Sequence, residues 1–142
     1  MNLIDLLKRH EGFRSKVYKC SAGKLTAGYG RNLEDLGLTE EEATILLLND
    51  IRRVQDEAQN NFKWFDDLDQ SRQDVVLSLI FNMGLHGFMQ FRKTIAAIEA
   101  GNYELAADEL LDSKWATQVG GRAIELAAIM RSAERKKGHT GV

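Results

Sequence analysis

Apolar positions recur at helical spacing through most of the chain after residue 38. In "LTEEEATILLLNDIRRVQDEAQ", Ala43, Leu46, Leu47, Ile51, Val54 and Ala58 share one side of a helix with charges between them, and Thr39 and Glu42 form a capping box at its start. A long amphipathic helix over about 39–59 follows. "SRQDVVLSLIFNMG" is apolar nearly all round from Val75 to Met83, which predicts a buried helix closed by Gly84 as a C-cap. Further helices are expected in "FRKTIAAIEAG", in "YELAADELLDS" leading to Trp115, and in "GRAIELAAIMRSAERKK" after the Gly120-Gly121 break. The tail "GHTGV" is expected to fray, and the basic "ERKK" before it complements a helix dipole.

The N-terminal part reads differently. "MNLIDLLKRHEG" carries a short helix with apolar Leu3, Ile4, Leu6 and Leu7, and residues 15–31 hold the one strand signal, "KVYKC" and "KLTAGYG" joined by the turn cluster "SAG". The pattern predicts an α+β, mainly α-helical chain: a small β-hairpin lobe over about 12–38, a bridging helix over about 39–59, and a larger helical lobe over about 60–142 that includes the N-terminal helix.

A length of 142 residues suits one such domain. Net charge is −2, but residues 1–31 carry seven Lys/Arg against two Asp/Glu, while residues 34–74 carry four against twelve. A basic N-terminal surface suits an anionic polymer; two solvated faces of opposite sign explain the same counts. One cysteine cannot form an intramolecular disulfide, the first helix is too interrupted by charge for a signal peptide, and no apolar run reaches membrane-span length. His10, His86 and His139 show no ligand spacing, so neither a metal nor another cofactor is expected. The Gly28-Tyr29-Gly30 stretch reads as a hairpin turn and not as a phosphate loop.

Glu11 stands apart. It ends the first helix immediately before Gly12, near the negative end of the helix dipole, which disfavours ionisation and suits a proton donor. With Cys20 and Thr26 it forms the spacing E-x8-C-x5-T, framed by Glu11-Gly12-Phe13-Arg14 and Thr26-Ala27-Gly28-Tyr29-Gly30. This segment resembles the active-site segment of the phage-type lysozymes of glycoside hydrolase family 24, the T4 lysozyme family, whose pattern is E-x8-(D/C)-x5-T. The likeness continues through "SLIFNMG", "NYELAADELLDSKW" and "GGRAIELA". The short stretch between Arg31 and Thr39 predicts a trimmed small lobe. Cys20 stands where the T4 member has aspartate, and Arg31 where histidine is frequent.

The resemblance implies hydrolysis of the β-1,4 bond between N-acetylmuramic acid and N-acetylglucosamine in peptidoglycan. Glu11 would be the acid, Thr26 would hold a water, and Cys20 is left as base, nucleophile or polar placeholder. Arg122 is expected to orient Glu11, and Asn32, Phe81 and Asn82 to contact the glycan. It further implies a monomer without nucleic-acid partner or stable membrane association, made in the host bacterial cytoplasm and reaching the wall by holin-type release. Three alternatives stay open at this point. A lytic transglycosylase would leave a 1,6-anhydro product, a Cys/His amidase would pair Cys20 with His10 or His86, and a glycan-binding module would need no acid.

Overall fold

The computed structural model describes the backbone of residues 2–140 and the side chains of residues 2–132, so the side-chain reading of "ERKK" and the last two residues of the tail lie outside the described residues. The chain divides into two compact units, Met1–Leu47 and Leu48–Val142.

The first unit begins with helix α1, Leu3–Glu11, capped at its start by Asn2, whose side chain accepts from the Asp5 amide at 2.9 Å. Strands β1 (Arg14–Lys19), β2 (Leu25–Gly28) and β3 (Arg31–Asn32) form an antiparallel sheet in the order β1-β2-β3. The expected hairpin is therefore present but extended by a third strand. Tyr29-Gly30 turns the chain back, with Gly30 at φ 78°, and two residues pair again: Thr26 opposite Asn32 and Ala27 opposite Arg31. Asn32 then caps a single helical turn, α2, Leu33–Leu36, by accepting from the Asp35 amide at 3.0 Å. Glu34 of that turn accepts from the Leu25 amide at 3.1 Å, so α2 is fastened to the middle strand.

Helix α3, Glu40–Asn61, starts in this unit, and the boundary between the two units falls within it. The capping box forms as read: the Thr39 amide donates to Glu42 Oε1 at 2.8 Å and the Glu42 amide to Thr39 Oγ1 at 3.1 Å. Of the apolar stripe along α3, Val54 and Ala58 enter the core, whereas Ala43, Leu46 and Leu47, on the part counted with residues 1–47, are exposed.

The second unit is helical. A 3₁₀ turn at Phe65–Asp67 leads to α4 (Gln70–Met89), α5 (Arg92–Glu99), α6 (Tyr103–Leu111), α7 (Lys114–Val119) and α8 (Gly121–Thr140). Gly84 leaves helical geometry at φ 80°, ψ 159°, but the helix resumes beyond it to Met89, so this glycine breaks α4 without ending it. Likewise α8 continues through Gly138 to Thr140 where fraying was expected; one glycine costs a helix only about 1 kcal/mol. The core gathers Val75, Val76, Leu79 and Ile80 of α4 with Ile98, Leu110 and Met130. The small side chains of Ala106, Ala107, Ala123 and Ala127 let α6 and α8 approach closely.

Within this apolar core sits Arg72, 2% exposed. Its guanidinium donates to Asp69 Oδ1 at 3.1 Å, to the Met130 carbonyl at 2.7 Å and to the Arg131 carbonyl at 3.3 Å, and it stacks over the Tyr103 ring at 3.7 Å. Asp69 also caps α4 by accepting from the Arg72 amide. One cation thus joins the start of α4 to α6 and α8. Arg72→Ala should lower the stability of the protein to urea by about 3–5 kcal/mol, because it strands the buried Asp69 carboxylate. The double change Asp69→Ser with Arg72→Met should cost clearly less, since it removes the buried charges together while keeping a cap.

Candidate active site

The motif residues of the first unit are placed by its sheet and by the end of α1. Helix α1 stops because Gly12 takes φ 71° and turns its amide back to the Lys8 carbonyl at 2.9 Å. Glu11 is the last helical residue, exposed, and follows Lys8, Arg9 and His10 in the final turn. Its carboxylate lies directly against the β2–β3 turn. A Cβ added at residue 30 would sit 2.6 Å from Glu11 Oε1 and 3.1 Å from Cδ, so the carboxylate occupies space that only glycine leaves free. Phe13 and Tyr29 flank this contact with rings 5.6 Å apart, and the Lys8 ammonium lies 5.4 Å from the Tyr29 ring.

Cys20 and Thr26 come together at the other end of the hairpin. Cys20 follows the last residue of β1, and its amide donates to the Lys24 carbonyl at 2.9 Å, closing a turn that also returns the Gly23 amide to the Cys20 carbonyl at 2.8 Å. The turn presents its amides to the sulfur. Hydrogen bonds from the Lys24 and then the Ala22 amide, with a smaller one from the Thr26 hydroxyl, hold the thiol below its ordinary pKa, although partial desolvation opposes them. Thr26, 3% exposed, is fixed in the middle strand between Tyr18 and Asn32. Its hydroxyl donates to the Lys24 carbonyl at 2.9 Å. Rotation about the Cβ–Oγ1 bond offers the same proton to a thiolate.

Asn32 lies opposite Thr26, yet its side chain is engaged locally: Oδ1 caps α2 and Nδ2 donates to Asp35 at 3.0 Å. Arg31 binds Glu42 and the Gly37 carbonyl.

In the second unit, Phe81 is exposed on α4, and Asn82 Oδ1 accepts from Trp115 Nε1 at 2.7 Å. Trp115 was legible only as a landmark between helices; it lines an open depression of about 560 Å³ with Phe91, Thr94, Glu109, Ser113 and Gln118. Arg122 is exposed in the first turn of α8. Among the described residues, no cluster of three or more His, Cys, Asp or Glu side chains is placed to hold a metal ion.

A helix ending on a carboxylate, set against the turn of a small sheet that also holds a Cys–Thr pair, has the parts of a glycosidase site. Comparison with known proteins gives the class its family. The phage lysozyme family model matches residues 8–135. An endolysin of Acyrthosiphon pisum secondary endosymbiont phage 1 is 32% identical over 139 residues, covering 94% of this chain and 91% of its own. An endolysin of Bacillus phage B103 is 33% identical over 97% of this chain and 52% of its own, and an endolysin of Salmonella phage P22 is 32% identical over 78% and 79%. The chain belongs to the phage lysozyme family. It is a lysozyme, a glycosidase whose substrate is peptidoglycan.

The thiol environment has a direct readout. Because the turn amides lower the Cys20 pKa, thiolate persists to lower pH than in an unstructured cysteine peptide. The midpoint of the pH dependence of iodoacetamide alkylation should accordingly lie below that of such a peptide, and unfolding in urea should return it to the peptide value.

Proposed function

We propose that Glu11 is the general acid of a muramidase of endolysin type, which cleaves the β-1,4 bond between N-acetylmuramic acid and N-acetylglucosamine, and that Cys20 is its base. The observation that carries this reading is the placement of the Glu11 carboxylate against the Gly30 turn, on the sheet whose hairpin end stabilises the Cys20 anion.

In this reading Glu11 gives its proton to the glycosidic oxygen as the bond to the anomeric carbon breaks. A water held by the Thr26 hydroxyl adds to that carbon, and its proton passes to the Cys20 thiolate. Glu11 ends deprotonated and Cys20 protonated; exchange with solvent resets both. Attack by water on the opposite face inverts the anomeric carbon, so the product is the α-anomer. The amide donors around the sulfur favour the base over a polar placeholder, because a placeholder has no need of groups that stabilise an anion. The roles expected of Arg122 on the acid and of Asn32, Phe81 and Asn82 on the glycan belong to the same proposal, as does a division of labour between a small lobe, a bridging helix and a helical lobe.

The reading extends to a monomer made in the host cytoplasm that reaches the wall by holin-type release, with no stable membrane association and no nucleic-acid partner. No helix of the described residues is long and apolar enough to cross a membrane.

Lysis of outer-membrane-permeabilised bacteria and digestion of purified peptidoglycan test this directly. Glu11→Gln should lower the rate by at least about 10²–10⁴-fold while keeping the fold and glycan binding. Cys20→Ala should lower it about 10²-fold, whereas Cys20→Asp should retain or raise it, since a carboxylate is a charged base at the same place. An active Glu11→Gln enzyme would remove the acid from the mechanism, and 1,6-anhydro ends in the product would move the chain to the transglycosylases.

A further inference from the structure

The acid is set against a turn, and the turn is held by charge. Strand β3 contains only Arg31 and Asn32, too few residues for its ladder alone to fix the preceding Tyr29-Gly30 turn. Arg31 supplies the additional hold. Its Nη1 donates to the Gly37 carbonyl at 2.8 Å and to Glu42 Oε1 at 3.0 Å, and its Nη2 donates to Glu42 Oε2. This two-pronged arrangement is the strong form of an arginine–carboxylate pair, although both side chains remain about one-third exposed. The Glu42 carboxylate is itself pinned by the Thr39 amide at 2.8 Å on the first turn of α3.

We propose that the Arg31–Glu42 pair positions the catalytic acid: by anchoring Arg31 to α3 it fixes Gly30, the α-carbon against which the Glu11 carboxylate lies. The chain of contacts is short. Consecutive α-carbons stand about 3.8 Å apart across a planar peptide, so a displaced Arg31 carries Gly30 with it. Gly30 meets the carboxylate with no intervening side chain to absorb the movement. Misplacing a reacting group by about 1 Å costs on the order of 10²-fold in rate, so partial loosening here is expected to cost about tenfold. Lys24, Glu34 and Asp35 join the start of β2 to α2, without contact to Glu42, and do not replace the pair. Arg31, Gly30 and Glu42 are positioning residues, and the inference rests on Glu11 being the acid.

The test measures kcat and KM on defined glycan oligomers, beside thermal denaturation, for Arg31→Ala, Arg31→Lys, Gly30→Ala, Thr39→Ala and Glu11→Gln. Arg31→Ala should lower kcat about tenfold with KM within about twofold, and Arg31→Lys, which keeps the charge but loses the fork, should recover part of that loss. Gly30→Ala should lower kcat at least as far, since the new Cβ displaces the carboxylate directly. Thr39→Ala removes a cap bond without touching the ion pair, and should lower the Tm while leaving kcat unchanged. Wild-type kcat in Arg31→Ala would overturn the inference, as would equal loss of kcat in Arg31→Ala and Thr39→Ala, which would reduce the pair to general stability. If Glu11→Gln is inactive while Arg31→Ala is fully active, only the positioning role fails; if Glu11→Gln is active, the reading of the acid fails with it.

Discussion

A guanidinium buried among aliphatic side chains must find acceptors or be excluded from the core, and Arg72 gives each of its three nitrogens one by drawing three helices around itself. Its carboxylate partner, Asp69, is the residue that starts α4, so the charge is neutralised where the helix begins. Its remaining donors reach carbonyls of α8, and its flat face is covered by Tyr103 of α6. Apolar packing alone tolerates sliding between helices, whereas these bonds do not. Residues around this centre, including Val75, Val76, Leu110 and Met130, then pack in one register.

The first unit meets a different constraint with different means. It has a three-stranded sheet with little to bury, and Thr26 is the buried residue of that sheet. Polar fastenings therefore carry its geometry: Asn32 and Glu34 tie α2 to the strands, and Arg31 ties the last strand to α3. Such fastenings suit the site proposed for this unit, in which a carboxylate and a thiolate flank a water, because each donor or acceptor that shapes the backbone can also shape the local charge. The Cys20 turn illustrates the point, since the bonds made by the Cys20 and Gly23 amides close it while the Lys24 and Ala22 amides lower the thiol pKa.

Much of this was legible in the chain itself. The capping box at Thr39 and Glu42, the stop at Gly12 and the helices after residue 38 follow from spacing and cap chemistry, which act over three or four residues. Glu11, Cys20 and Thr26 were legible as a triplet because a fixed interval is visible in sequence. Strand β3 and helix α2 were not, being too short to show a period; their signal was Asn32 followed by Glu34 and Asp35, a cap and an acidic first turn. Gly84, read from the sequence as the end of its helix, is only a break, since one glycine at positive φ interrupts a helix without preventing its resumption. Arg72 carries no sequence mark of burial. Likewise, nothing local pairs Gly30 with Glu11, because that contact exists only once the sheet has folded back onto the end of α1.

Glu42 serves two masters. The same carboxylate closes the capping box of α3 and grips Arg31, so its position is set jointly by a helix and by a strand. Substitutions at 31 and 42 cannot be additive under that arrangement, since each changes the geometry available to the other. The two positions are physically coupled: exchanging Arg31 for histidine loses the two-pronged grip and leaves residue 42 answering to the helix cap alone. Arginine at 31 and glutamate at 42 should accordingly be inherited as a pair.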